Sequence, residues 1–140
     1  VRDRDVQLMI SLEMIGYFSD QPGSQYFPIK AMEWVYPTTG NFISVVDQVF
    51  SNAAQKLKDD INKHTDLPAY STNAPTAIEG IDFSDHRNYW HFDYDAVMIT
   101  DTAFYRNRNY HKPTDTIDTL DFKRMKQVVQ GLCRYLLNTE

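Results

Sequence analysis

Five consecutive residues, Ala96, Val97, Met98, Ile99 and Thr100, constrain this chain more than any other stretch. The run is almost wholly apolar and too short for a helix, which predicts a strand buried on both faces. Such a strand belongs in a sheet with helices packed on either side. Asp101 stands at its carboxyl end. The loop beyond it carries Arg106, Asn107, Tyr110, His111 and Asp115. In open α/β sheets, ligands bind just past the carboxyl ends of strands. A loop this rich in arginine, tyrosine, histidine and acid, in that place, is the first candidate for a functional site.

The chain has 140 residues, the size of a single domain with its own core. A formal net charge of −5 and no cluster of Lys or Arg argue against a nucleic-acid surface. No apolar run approaches the ~20 residues of a membrane span, so no membrane partner is expected. Cys133 is the only cysteine. An intrachain disulfide is therefore excluded, which fits a reducing compartment; the localisation is otherwise open. No signal peptide is visible. The chain lacks an initiator Met and enters almost at once into a core strand, so its natural start is expected upstream.

Residues 6–15 (VQLMISLEMI) read as a central strand, closed by turn signals from Gly16 to Gly23. Glu13 is out of place there. A carboxylate inside a buried strand is costly unless paired, protonated or bound to a metal; alternatively it sits at the strand's end and reaches water. Residues 17–40 combine Pro22, Pro28 and Pro37 with Tyr17, Phe18, Tyr26, Phe27, Trp34 and Tyr36. That is an ordered aromatic loop, packed either as a lid or substrate wall or simply beneath itself.

Residues 42–46 (FISVV) read as a second strand. A helix is expected from about 48 to 63, with Phe50, Ala54, Leu57 and Ile61 on one face. Part of 69–71 reads as a strand after Pro68. Ser84 reads as the N-cap of a short helix whose buried side is Tyr89, Trp90 and Phe92. Asp121 reads as the N-cap of a last helix running to about Leu137. Its apolar stripe is Phe122, Met125, Val128, Val129, Leu132, Tyr135 and Leu136, and Gly131 within it permits close approach to the sheet. Alternating strands and helices predict an α/β fold with three α/β/α layers.

No short metal motif such as HExxH is present. A metal site would have to draw ligands from separate strand ends, and Glu13 and His111 are the candidates. Carboxylate oxygen and imidazole nitrogen both suit zinc. Asp115, four residues after His111, is placed to accept from the other ring nitrogen and orient it. A loop histidine bonded to a neighbouring acid accounts for the same residues without a metal.

Four segments taken together, LEMIGY (12–17), SDH (84–86), AVMITDTAFYRNRNYHKPTDT (96–116) and TLDF (119–122), resemble the carboxyl-terminal half of the co-catalytic zinc aminopeptidases of family M28. The resemblance covers nearly the whole chain in order. It implies a phosphorylase/hydrolase-like fold with a mixed, mostly parallel sheet, here partial, and a peptide substrate. It also implies two zinc ions, which activate water for attack on the peptide bond at a free N-terminus. By the same resemblance Glu13 is a ligand of one zinc and His111 of the other. Tyr110 holds or polarises the substrate carbonyl, and Asp115 orients the site. Asp85 and His86 fall in the motif and are assigned to packing near the cleft. Arg106 is expected to pair with Asp101 rather than with a substrate carboxylate.

Departures from the pattern are as informative. The family's first His, bridging Asp and Glu–Glu pair lie upstream of the LEMIG strand. The twelve residues before Glu13 hold no His and no Glu. Asp3 and Asp5 are too close together to fill both roles. Without a bridging carboxylate, two ions cannot be held at the ~3.5–4 Å of a two-metal site. Without the Glu base, nothing takes the proton from the attacking water. The chain, residues 1–140, thus reads as one domain, the C-terminal portion of a peptidase domain, inactive alone, whose exposed sheet edge favours self-association. Two alternatives stand beside this reading. One is a non-catalytic binding or assembly domain that kept the fold. The other is a glutaminyl cyclase, disfavoured because Tyr110 stands where those enzymes have a tryptophan.

Overall fold

The computed structural model of the chain describes residues 6–138, so Asp3 and Asp5 lie outside the described residues. Four strands form one sheet: β1 Met9–Leu12, β2 Ile43–Asp47, β3 Ala69–Asn73 and β4 Ala96–Thr100. The helices are α1 Ala53–His64, α2 His86–His91 and α3 Phe122–Asn138. Strand order is β1-β4-β2-β3. β1 runs parallel to β4 and β2 parallel to β3, and the two pairs meet antiparallel between β2 and β4. This is the mixed, mostly parallel α/β sheet expected.

Side-chain alternation divides the core in two. Ile43, Val45, Ala69, Val97 and Ile99 face α1 and α3, meeting Ala54, Leu57, Ile61, Val128 and Tyr135. Val46, Ala96 and Met98 face the other way, toward Trp90 of α2, Ile81 and Ala74. Both faces of β2 and β4 are therefore buried, which explains why every residue of those strands lacks exposure.

Several expectations are corrected. The strand within 6–15 is confined to Met9–Leu12 and lies at the sheet's edge, not its centre. Met14 adopts φ 54°, which turns the backbone out of the ladder just after Glu13. Met9 N–H donates to Asp95 O and Glu13 N–H to Ile99 O. Alternation then directs the amides and carbonyls of Ile10 and Leu12 away from β4, where no strand pairs with them among the described residues. Phe50 is fully exposed, because α1 begins only at Ala53 and Phe50 falls in the preceding turn. Buried Asp47 sets that start: its carboxylate accepts from Gln48 N–H at 2.7 Å and Ala54 N–H at 3.0 Å. Asp85, not Ser84, precedes α2, and its side chain makes no cap bond. Only Trp90 of the three expected aromatics is buried; Tyr89 and Phe92 are exposed.

Asp121 caps α3 as expected, accepting from Arg124 N–H at 2.9 Å. Gly131 does permit a close approach, but to α1. A Cβ there would stand 2.9 Å from Ile61 Cγ1 and 3.1 Å from Ile61 Cα. Phe122, Val129, Leu136 and Leu137 remain exposed on α3. No helix among the described residues is long and apolar enough to cross a membrane.

Candidate active site

Parallel pairing of β1 and β4 brings their carboxyl ends side by side. Glu13 follows β1 directly and, one step beyond the register Leu12↔Ile99, stands next to Thr100. It is half-buried. Its carboxylate accepts from Ser84 Oγ at 3.1 Å, and Ser84 Oγ lies 2.6 Å from Ser11 Oγ. Ser84 thus serves the acid at the strand end instead of capping α2.

Asp101 occupies the equivalent place on β4. Its carboxylate accepts from Tyr17 N–H at 2.7 Å, Gly16 N–H at 3.0 Å and Ala103 N–H at 2.9 Å. These bonds tie the two strand ends together. Burial nonetheless pushes the carboxyl up to about 6, against the pull of those amides and of Arg106. The expected contact ion pair between Arg106 and Asp101 is absent among the described residues. Buried Arg106 instead donates to Gln25 Oε1 at 2.8 Å, to Phe42 O at 2.9 Å and to Tyr17 O at 3.3 Å, with its guanidinium 4.6 Å from the Phe42 ring. Gly40 is required beneath it, since a Cβ would come within 2.7 Å of Arg106 Nε. Arg106 therefore locks the aromatic loop onto the sheet and is not free to meet a substrate.

Tyr110 and Glu13 line one cleft. His111 follows with φ 58° and stacks on Tyr110, ring centroids 3.8 Å apart and planes within 20°. Asp115 does not bond His111. It accepts from Asn107 Nδ2 at 3.0 Å, and Asn107 Oδ1 accepts from Asn109 N–H at 2.9 Å. The acid thereby braces the loop that carries Tyr110 and His111. Met14, Thr102, Ala103 and His111 all hold positive φ without being glycine. Met14 lies just past β1, Thr102 and Ala103 lie just past β4, and His111 lies further along the loop after β4; Asp93, which also has positive φ, precedes β4 and lies away from the site. Such strain persists only where surrounding contacts over-determine it, and it concentrates at functional sites.

The cleft continues as an aromatic cavity of about 80 Å³ over the sheet face opposite α1 and α3. Phe27, Met32, Tyr36, Phe83 and Phe104 wall it, and Ser44, Thr72 and Thr100 form its floor. These hydroxyls and Gln25 escape the motifs of the sequence. Their signal is Ser or Thr at inward positions of strands that are otherwise apolar.

Glu13 and His111 do not by themselves build a zinc site. Among the described residues no group of three His, Cys, Asp or Glu side chains is placed to hold a metal ion. His111 is exposed and its ring rests on Tyr110.

No family profile matches the chain. Over 139 residues it is 52% identical to the uncharacterized protein YfbL of Escherichia coli (strain K12), a match covering 99% of this chain and 43% of YfbL. Its fold is similar to that of the LapA aminopeptidase of Legionella pneumophila, with a TM-score of 0.65 and 17% identity over 94% of this chain and 30% of LapA. LapB of the same organism gives 0.64 and 15% over 94% of this chain and 31% of LapB. The chain spans less than half of its curated relative and about a third of these solved structures. Across its length it has an aminopeptidase-like fold.

Proposed function

We propose that this chain forms part of a zinc-dependent aminopeptidase of the M28 type, its C-terminal portion, acting on peptides with a free N-terminus. Bound zinc would supply an activated water and polarise the scissile carbonyl. Glu13 and His111 each contribute one ligand, and the remaining ligands come from outside these 140 residues. Tyr110 contacts the substrate carbonyl. Asp115 positions Tyr110 and His111 by holding Asn107. Ser84 fixes the Glu13 carboxylate. One observation carries the reading: Glu13 and Tyr110 share a cleft at the carboxyl ends of adjacent parallel strands, with His111 stacked on Tyr110.

The test is zinc content and amino-acid release from short peptides, measured on the natural full-length protein and on the 140-residue chain. Full-length activity that is lost with a chelator and with Glu13→Gln or His111→Ala is the expected result, with no turnover by the chain alone. Turnover by the 140-residue chain, or a full-length protein that binds no zinc, overturns the proposal. The lack of a three-ligand group among the described residues supports a second reading, a non-catalytic binding domain. That reading predicts a full-length protein without zinc or turnover.

A further inference from the structure

The floor of the aromatic cavity has hydroxyl protons left over. Ser44, Thr72 and Thr100 are 4%, 9% and 5% exposed. Ser44 Oγ and Thr72 Oγ1 bond each other at 3.2 Å. One proton makes that bond, and the other hydroxyl's proton has no acceptor among the described residues. Thr100 Oγ1 accepts from Thr102 N–H at 3.0 Å, and its own proton is likewise unspent. The registers Ser44↔Thr100 and Val46↔Thr72 put all three on one sheet face, beside Glu13. Two donors therefore point into a pocket whose walls are aromatic. A buried donor without a partner is costly, so an occupant that accepts from both is favoured over one that cannot.

The rest of the lining narrows the choice. Among the described residues no Lys or Arg borders the cavity, whereas Glu13 and Glu79 do. An anionic tip meets repulsion and finds no counter-charge. A cationic tip, like an aliphatic one, leaves both hydroxyl protons unspent. A carboxamide oxygen has two lone pairs, one for each donor, and its NH₂ finds the hydroxyl oxygens as acceptors. Size is compatible: about 80 Å³, against the roughly 150 Å³ of a closed cavity that takes benzene, leaves room for a short polar side chain.

We infer that this cavity binds the carboxamide side chain of a glutamine or asparagine, with Ser44, Thr72 and Thr100 as the residues that select it. That the side chain belongs to a peptide's first residue rests on the aminopeptidase reading; the pocket chemistry does not.

The experiment is an NMR titration of the protein in EDTA with L-glutamine, L-leucine and L-glutamate, which differ only in the side chain. The backbone amides of Gly80 and Phe104 at the cavity serve as reporters. Glutamine is expected to bind most tightly. Thr100→Val, and Ser44→Ala combined with Thr72→Val, each remove one donor with little change of shape; each should weaken glutamine about 3- to 10-fold and leave leucine unchanged, and either alone suffices. Leucine or glutamate binding as tightly as glutamine overturns the inference. So does a preference unmoved in the variants, or no shift at the cavity with any probe. With metal absent, the outcome is independent of turnover. A protein with no peptidase activity can still show the preference, and an active one without it sinks this inference alone.

Discussion

Ser84 Oγ donates to Glu13 Oε2 at 3.1 Å across 71 residues of chain. Ser11 Oγ, 2.6 Å from the same Ser84 oxygen, completes a short relay on the sheet's inner face. Glu13 thus stands at the strand's end in a set orientation, held by a residue from the loop before α2.

Ser84→Ala frees that carboxylate. If Glu13 binds zinc, the loss of an outer hydrogen bond is expected to lower zinc affinity of the full-length protein about 10- to 100-fold. The fold itself should lose only about 1 kcal/mol. Competition with a zinc-sensitive dye reads the first effect and urea unfolding the second.

Gly131→Ala sets helix propensity against packing. Propensity favours Ala by ~1 kcal/mol in a helix interior. The new methyl would meet Ile61 Cγ1 at 2.9 Å and the α1 backbone at 3.1 Å. Backbone cannot yield as a flexible side chain does, and overpacking costs about 1–3 kcal/mol. The variant is expected to be less stable than the parent, read as a lower urea midpoint with an unchanged slope.

Asp101 makes stability depend on pH in an unusual sense for a carboxyl. Burial raises it from 3.8 to about 6 in the folded protein. Its folded form binds the proton more tightly, so its contribution is fully present below 3.8 and is lost as pH rises through about 6. The loss amounts to roughly 3 kcal/mol at most. His86, buried and pushed below its ordinary 6.5, acts the other way, contributing above that pH and losing it as pH falls. Urea titrations from pH 4 to 7, compared between the parent and Asp101→Asn, isolate the Asp101 part. The parent should weaken relative to the variant as pH rises through this window.

Open backbone groups on β1 predict self-association of the 140-residue chain. Leu12 is 46% exposed beside that edge. A lysine on an edge strand opposes pairing by placing charge against the incoming strand. Leu12→Lys is expected to shift the chain toward monomer in sedimentation velocity without changing its unfolding free energy by more than about 0.5 kcal/mol.

Elements whose sequence carried one unambiguous signal were legible. β4 announced itself as four apolar residues and Thr100 followed by Asp101, and the α3 N-terminus by Asp121 before a long periodic stripe. Where local pattern competed with tertiary contacts, the pattern misled. Phe50 continues the apolar spacing of α1, yet Asp47 gathers the Ala54 amide and starts the helix later. Ser84 has the chemistry of a cap, yet Glu13 claims its hydroxyl. Arg106 and Asp101 look like partners along the chain, but Arg106 donates to Gln25, Phe42 and Tyr17 while Asp101 accepts from backbone amides. Of the candidate site, the motif offered Glu13, Tyr110, His111 and Asp115, and the structure brings Glu13 and Tyr110 into one cleft while Asp115 bonds Asn107 in place of His111. The cavity floor could not be named in advance, since Ser44, Thr72 and Thr100 come together only through strand register.

The antiparallel seam between β2 and β4 gives the molecule two unlike poles. One holds Glu13 and Asp101; the other holds Asp47 and Asn73, about a strand's length away, on the order of 15 Å. Fully exposed Phe50 sits at the second pole. A dye or tether anchored there would watch events around Glu13 from a distance, without entering the groove it reports on.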